Sequence, residues 1–173
     1  MNISPEEYTK QYIVEALFRL MNEYVFNDIS VSDVARKAGV GRATFYRYFK
    51  RKEDVILYYF EHKTKDFIFA QRFYPRCKED YVKVAESAFS AFKKNIETFK
   101  LLKKAHLKDI YLDYLNKMMA ETFHNDYEEK NRYAPYLYAG MIFNVSMMWL
   151  DNDCSDSISE LAEMIVSAIY FGK

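Results

Sequence analysis

The chain has 173 residues, half of them apolar, and its 25 basic and 25 acidic residues cancel. That is enough apolar material for a buried core, in one large domain or two small ones. Three prolines and four glycines leave little to break helices or turn hairpins, which favours an all-α fold over a strand-rich one.

No repeat or low-complexity segment is visible. The N-terminal stretch MNISPEEYTK lacks the apolar core of a signal peptide. The longest uncharged run, Tyr133–Leu150, has 18 residues, at the short end of a membrane span, and its stretch Ala134–Leu150 contains Pro135, Asn144 and Ser146. It reads as a helix buried in protein, so the expected location is cytoplasmic, with no membrane partner. Cys77 and Cys154 lack metal-ligand spacing and are expected as free thiols.

In chain order, the first helix starts at Ser4, a good cap, followed by Pro5 and by Glu7 to complete a capping box. Ile13, Ala16, Leu17, Leu20, Met21 and Tyr24 form its apolar stripe. Asn27 and Asp28 break it. The second helix is capped by Ser30 with Asp33 three residues on. It buries Val31, Val34, Ala35 and Ala38, and ends at Gly39 as the left-handed cap. After the Gly39-Val40-Gly41 turn, a third helix runs to about Tyr48.

A supporting helix followed by two short helices and a tight glycine turn is a helix-turn-helix pattern. From Val34 to Lys52 there is no acidic residue, yet Arg36, Lys37, Arg42, Arg47, Lys50, Arg51 and Lys52 stand there with Phe45, Tyr46, Tyr48 and Phe49. At about 100° per residue, Phe45 and Phe49 plug the core. Ala43 and Arg47 point away from it, with Thr44 and Tyr48 on one flank and Arg42 and Tyr46 on the other. Arginine reads guanine edges, a small residue permits close approach, and hydroxyls bond phosphates, so this face suits a DNA major groove. The candidate DNA contacts are Ser30, Gly41, Arg42, Ala43, Thr44, Tyr46, Arg47, Tyr48, Lys50 and Lys52. Arg36, Lys37 and Arg51 are either further contacts or solvated surface. Lys52 opens the next helix, where the macrodipole gives a cation no benefit, which favours a phosphate role.

These residues resemble the TetR family of bacterial regulators, whose signature runs T-x-x-x-I-A-x-x-A-G-V-S-x-x-T-x-Y-x-[HY]-F-x-x-K-x-x-L. The matching positions are Ser30, Val34-Ala35, Ala38-Gly39-Val40, Gly41, Thr44, Tyr46, Tyr48-Phe49, Lys52 and Val55. Ser30 keeps the hydroxyl of the usual Thr. Gly41 replaces the usual Ser and loses both a side-chain cap and a phosphate contact. The resemblance covers roughly the first 60 residues. It implies a homodimeric transcriptional regulator, most often a repressor, that binds a palindromic double-stranded operator and answers to a small-molecule effector. It also implies that Tyr46 holds a phosphate. The alternatives are a TetR-like activator without an inducer and a helical ligand carrier that does not act on DNA.

The expected division is a DNA-binding domain over 1–52 and a helical effector-binding and dimerisation domain over 53–173, with about nine helices in all. Further helices are expected at about Glu53–Phe73, Lys78–Phe99, Leu101–Lys108 and Ile110–Tyr127, then the uncharged run to Leu150, then a last helix capped by Ser157 and Glu160. The resemblance implies that the last two long helices pair with their copies. The candidate interface is Ala139, Gly140, Trp149, Ile158, Leu161, Ile165 and Ile169. An effector pocket for a small apolar or aromatic molecule would draw on Phe69, Phe89, Phe92, His106, Tyr111, Tyr114, Met118, Phe123, Phe143 and Met147, each also an ordinary core residue. His62 and His124 read as surface.

No phosphate loop, nucleophile elbow or paired-cysteine metal motif is present. Neither an enzyme, a metal site nor a cofactor is expected.

Overall fold

A computed structural model of the chain describes residues 4–63, 77–122 and 132–169. These residues contain nine α-helices and no strand. The helices are α1 (Pro5–Glu23), α2 (Val31–Lys37), α3 (Arg42–Tyr48), α4 (Lys52–Lys63), α5 (Lys78–Lys94), α6 (Ile96–Lys104), α7 (Asp109–Thr122), α8 (Ala134–Asp151) and α9 (Ile158–Ile169), with a 3-10 turn at Phe26–Asp28. Phe69, Phe123, His124, the polar stretch expected after α7 and the far end of the expected fourth helix lie outside the described residues, as does the side chain of Ile169. Among those described, no helix is long and apolar enough to cross a membrane, and no cluster of His, Cys, Asp and Glu could hold a metal ion.

The chain divides into two compact units. The first comprises residues 1–62 together with Leu101–Ile110. It therefore takes in α4 and a later segment that a division at residue 52 leaves out. Ser4 accepts from the Glu7 N–H at 3.2 Å, and Pro5 occupies the first turn. From that start α1 buries Ile13, Val14, Ala16, Leu17, Leu20 and Met21. Complete burial of a residue such as Ile13 or Leu17 contributes about 1.5–3 kcal/mol. Tyr24 is exposed rather than on the stripe, because the helix has ended and its backbone is extended there.

The second unit comprises residues 63–100 and 111–173. Instead of one helix over 78–99, the chain forms α5 and then α6, separated at Asn95. The Asn95 amide donates to the Ala91 carbonyl at 2.7 Å and its backbone N–H turns to Phe92, so a side chain competes with the helical ladder and ends it. The core is aromatic. Phe89 meets Trp149 edge-on at 5.7 Å, Phe92 stacks on Phe99 at 4.0 Å, and Phe99 meets Tyr111 at 4.7 Å. Helix α9 packs along α5, after the expected start in which Ser157 accepts from the Glu160 N–H at 3.1 Å.

Burial within the chain bears on two expectations about this unit. Of the residues assigned to a partner interface, Ala139, Trp149, Leu161 and Ile165 are buried within the chain itself, and Gly140 and Ile158 are half-buried. Burial needs the bulkiest apolar residues of α8 and α9 for the unit's own core. What they leave outside are Tyr136, Leu137 and Met148 of α8 and Met164 of α9, which are 51–72% exposed. The pocket candidates fall in both units. Phe89, Phe92, Tyr111, Tyr114, Phe143 and Met147 are buried in the second unit with Met118 half-buried beside them. His106 is exposed and belongs to the first.

Candidate nucleic-acid interface

Helix α2 is fixed at both ends by local chemistry. Ser30 Oγ accepts from the Asp33 N–H at 3.1 Å and donates to Asp33 Oδ2 at 2.6 Å, and the Ser30 N–H donates to the same carboxylate at 3.1 Å. Those two donations from Ser30 hold the Asp33 carboxyl below the usual carboxylate range. At the other end Gly39 has φ +71°. Its N–H returns to the Arg36 carbonyl, and that of Val40 to Ala35, a complete left-handed cap. Nothing lies within 4 Å of a Cβ built on Gly39, so the backbone angle, not crowding, calls for glycine.

That turn launches α3 at Gly41, which caps it without a side chain. Phe45 and Phe49 anchor the helix from behind as expected. Phe45 is fully buried, Phe49 nearly so, and the Phe49 ring meets Tyr58 of α4 at 5.5 Å. Arg42, Ala43, Tyr46 and Arg47 are left exposed, with Thr44 and Tyr48 half-buried on the flank. The sequence periodicity places this face correctly.

The cations are less uniform than the sequence suggests. Arg36 pairs with Asp33 at 2.6 Å, Arg51 with Asp54 at 3.6 Å and Lys37 with Glu23 at 3.9 Å. Arg47 donates to the Tyr48 hydroxyl at 2.8 Å and lies over its ring. Arg42 and Lys50 have neither a carboxylate within ion-pair distance nor a side-chain hydrogen bond among the described residues. Arg42, Arg47 and Lys50 are therefore the cations of this stretch without a carboxylate partner among the described residues and with no backbone carbonyl to hold them, and the acidic partners of the others come from outside the acid-free run or, for Asp33, from its border.

Lys52 does different work from the phosphate contact expected of it. Its ammonium donates to the carbonyls of Phe26 and Ile29, both at 2.6 Å, and sits 4.1 Å from the centre of the Phe26 ring. The side chain is turned into the first unit, where it ties the start of α4 to the loop before α2. Ser30 is likewise occupied by its capping box.

Two neighbours were not legible in the sequence. Lys10 reads as an ordinary helical partner of Glu6, and does pair with it at 2.8 Å, but it also lies 5.3 Å from the Tyr48 ring. His62 is half-buried rather than on the surface. It stacks on Tyr58, with Nδ1 2.9 Å from Glu7 Oε1 but out of line for a hydrogen bond. Tyr58 donates to that same oxygen at 2.9 Å, and burial pushes its phenol well up. The Lys10–Tyr48, His62–Glu7 and Tyr58–Glu7 contacts join α1 to α3 or α4 across long sequence separations.

Residues 13–63 match the family described as bacterial regulatory proteins, tetR family. The HTH-type dhaKLM operon transcriptional activator DhaS of Lactococcus lactis subsp. lactis (strain IL1403) is 32% identical over 68 residues, which is 39% of this chain and 36% of that protein. The fatty acid metabolism regulator protein of Bacillus subtilis (strain 168) is 38% identical over 56 residues, 32% of this chain and 29% of that protein. The chain thus matches about a third of the length of these curated relatives. A crystallised TetR-family regulator from Streptomyces coelicolor A3 superposes with a TM-score of 0.75 over 98% of this chain and 96% of that one, at 16% identity, which carries the fold. The signature around α2 and α3 and the family match that spans it agree over residues 13–63, and the chain shares the all-helical fold of a TetR-family regulator.

Proposed function

We propose that the protein is a DNA-binding transcriptional regulator that acts as a homodimer on a palindromic operator, by default as a repressor. The observation that carries this reading is the exposed face of α3, where Arg42, Arg47 and Tyr46 project from a helix clamped behind by Phe45 and Phe49. Arg42, with no partner of its own, is the base reader. Arg47 is steered by Tyr48, and Lys50 and Tyr46 hold phosphates. The exposed residues Leu137, Met148 and Met164 support pairing of α8 and α9 with a second copy, since they are apolar and the run along α8 is without charge. The effector is a small apolar or aromatic molecule bound in the second unit, and the fatty acid role in the name of the Bacillus relative makes acyl compounds the first class to try. An activating output, as in the name of the Lactococcus relative, uses the same DNA site. Transcription rising or falling when protein is added to a reconstituted promoter separates the two.

The test is selection of bound duplexes from a random pool, followed by titration with salt. A palindrome should emerge, and log affinity should fall with log salt at about −0.9 per phosphate neutralised. Arg42→Ala should cost about 1–3 kcal/mol and relax preference at one position per half-site. A slope near zero would sink the DNA-binding reading.

A further inference from the structure

In the first unit, the end of α1, the loop after it and the end of α6 with its following turn enclose a cleft of about 240 Å³. That is room for roughly eight waters, hence for a ligand of about a dozen non-hydrogen atoms. Its lining includes none of the exposed side chains of α3 and none of the aromatic residues named for an effector other than His106.

Its walls carry three kinds of chemistry. Tyr24, Phe26 and Leu101 supply apolar surface, and Tyr24 is left 59% exposed with nothing packed over it. Glu23 supplies a carboxylate, held only by a 3.9 Å approach of Lys37. Lys104 and His106 supply cationic or hydrogen-bonding groups, and neither has an ion-pair or hydrogen-bonding side-chain partner among the described residues. Two helices, α1 and α6, also end here, bringing the negative ends of their dipoles to the same place.

His106 is there against backbone preference. It occupies the left-handed position that closes α6, at φ 58°, with its own N–H bonded to Lys103 and that of Leu107 to Leu102. Glycine is the residue that fits this cap without strain. The chain instead puts an imidazole at the mouth of the cleft.

These features exclude some ligands. Helix C-termini and Glu23 oppose a phosphate or any compact dianion, while Lys104 opposes a bare cation. Both signs on walls lined with aromatic surface suit a zwitterion with an apolar body. We propose that this cleft binds a free α-amino acid with an aromatic or branched apolar side chain. Its ammonium faces Glu23 and the end of α1, its carboxylate faces Lys104 and His106, and its side chain lies on Tyr24 and Leu101. The proposal stands independently of the DNA-binding reading.

The test is calorimetric titration of the full chain with L-phenylalanine, L-leucine, 3-phenylpropionate and phenethylamine. One of the amino acids should bind, and the two singly charged analogues should bind at least tenfold more weakly. His106→Gly should weaken the amino acid at least tenfold while leaving the melting temperature unchanged or raised, because the cap is relieved. Glu23→Gln should bring the amino acid down to the level of 3-phenylpropionate. No heat from either amino acid at millimolar concentration would overturn the site. So would 3-phenylpropionate binding as tightly as L-phenylalanine, or both folded variants retaining the parent's affinity.

Discussion

The Lys52 ammonium lies 4.1 Å from the centre of the Phe26 ring and 2.6 Å from the Phe26 carbonyl oxygen. This one side chain bridges 26 residues of sequence. It holds the entry to α4 against the loop that leads into the helix-turn-helix, while Phe45 and Phe49 anchor α3 from behind.

Lys52→Met should therefore destabilise the fold. Hydrogen bonds from a charged donor are worth about 1.5–3 kcal/mol, and the half-buried setting points to the lower end of that range. The midpoint of urea unfolding reports it. The salt slope of operator binding should stay at the parent's value. If stability held while the slope flattened by about one, Lys52 would be a phosphate contact after all.

Gly39 and Gly41 bracket the same turn and should respond in opposite directions. Gly39→Ala places a Cβ on a left-handed residue, at a cost of about 1–2 kcal/mol. Gly41 has ordinary extended angles and open space where a side chain would go. Gly41→Ser should stabilise by a few tenths of a kcal/mol through a new cap, and should tighten DNA binding if its hydroxyl reaches a phosphate. Thermal unfolding of the two variants side by side checks the sign of each.

Burial of the Tyr111 phenol in the second unit, reinforced by the neighbouring Tyr114, pushes its ionisation above the ordinary value of 10.0. A pKa raised on folding means that stability is intact below about pH 10 and declines as pH climbs further, since the unfolded chain releases the proton first. Urea unfolding between pH 9 and 11 should show this decline, and Tyr111→Phe should make it shallower. Tyr58 is raised as well and supplies part of what remains. An identical pH slope in parent and variant would show that Tyr111 ionises as freely folded as unfolded.

The parts that the sequence discloses are those fixed by neighbours within one or two turns. The Ser30–Asp33 box, the Gly39 cap and the Phe45–Phe49 spacing each follow from residues three to six apart, and all three are in place. The partners of Lys37 and Lys52 were not legible, because Lys37 meets Glu23 and Lys52 meets Phe26 only after the chain has folded back. The inward face of α8 was not legible either. A helix that is apolar all round gives no periodicity from which to tell the face turned inward from the face left outside.

That distinction decides how dimerisation should be tested. Ile165 is buried against the chain's own core, so Ile165→Asp would place an unpaired charge inside the second unit and unfold it, at a cost of several kcal/mol. Leu137 and Met148 are 72% and 65% exposed, three helical turns apart on one face of α8. Acidic residues there cost the isolated chain little, yet they would meet their own copies across a two-fold seam, where like charges repel and must shed water. Single helix-turn-helix modules bury only about 600–1,000 Å² on DNA, so specific affinity depends on two of them acting together. The variant Leu137→Glu with Met148→Glu is thus expected to be a folded, helical monomer that has lost its palindrome. Sedimentation velocity, circular dichroism and gel-shift titration on one preparation provide the check. A folded monomer that bound as tightly as the parent would refute the dimer mechanism, and a variant that still sedimented as a dimer would move the interface off this face of α8.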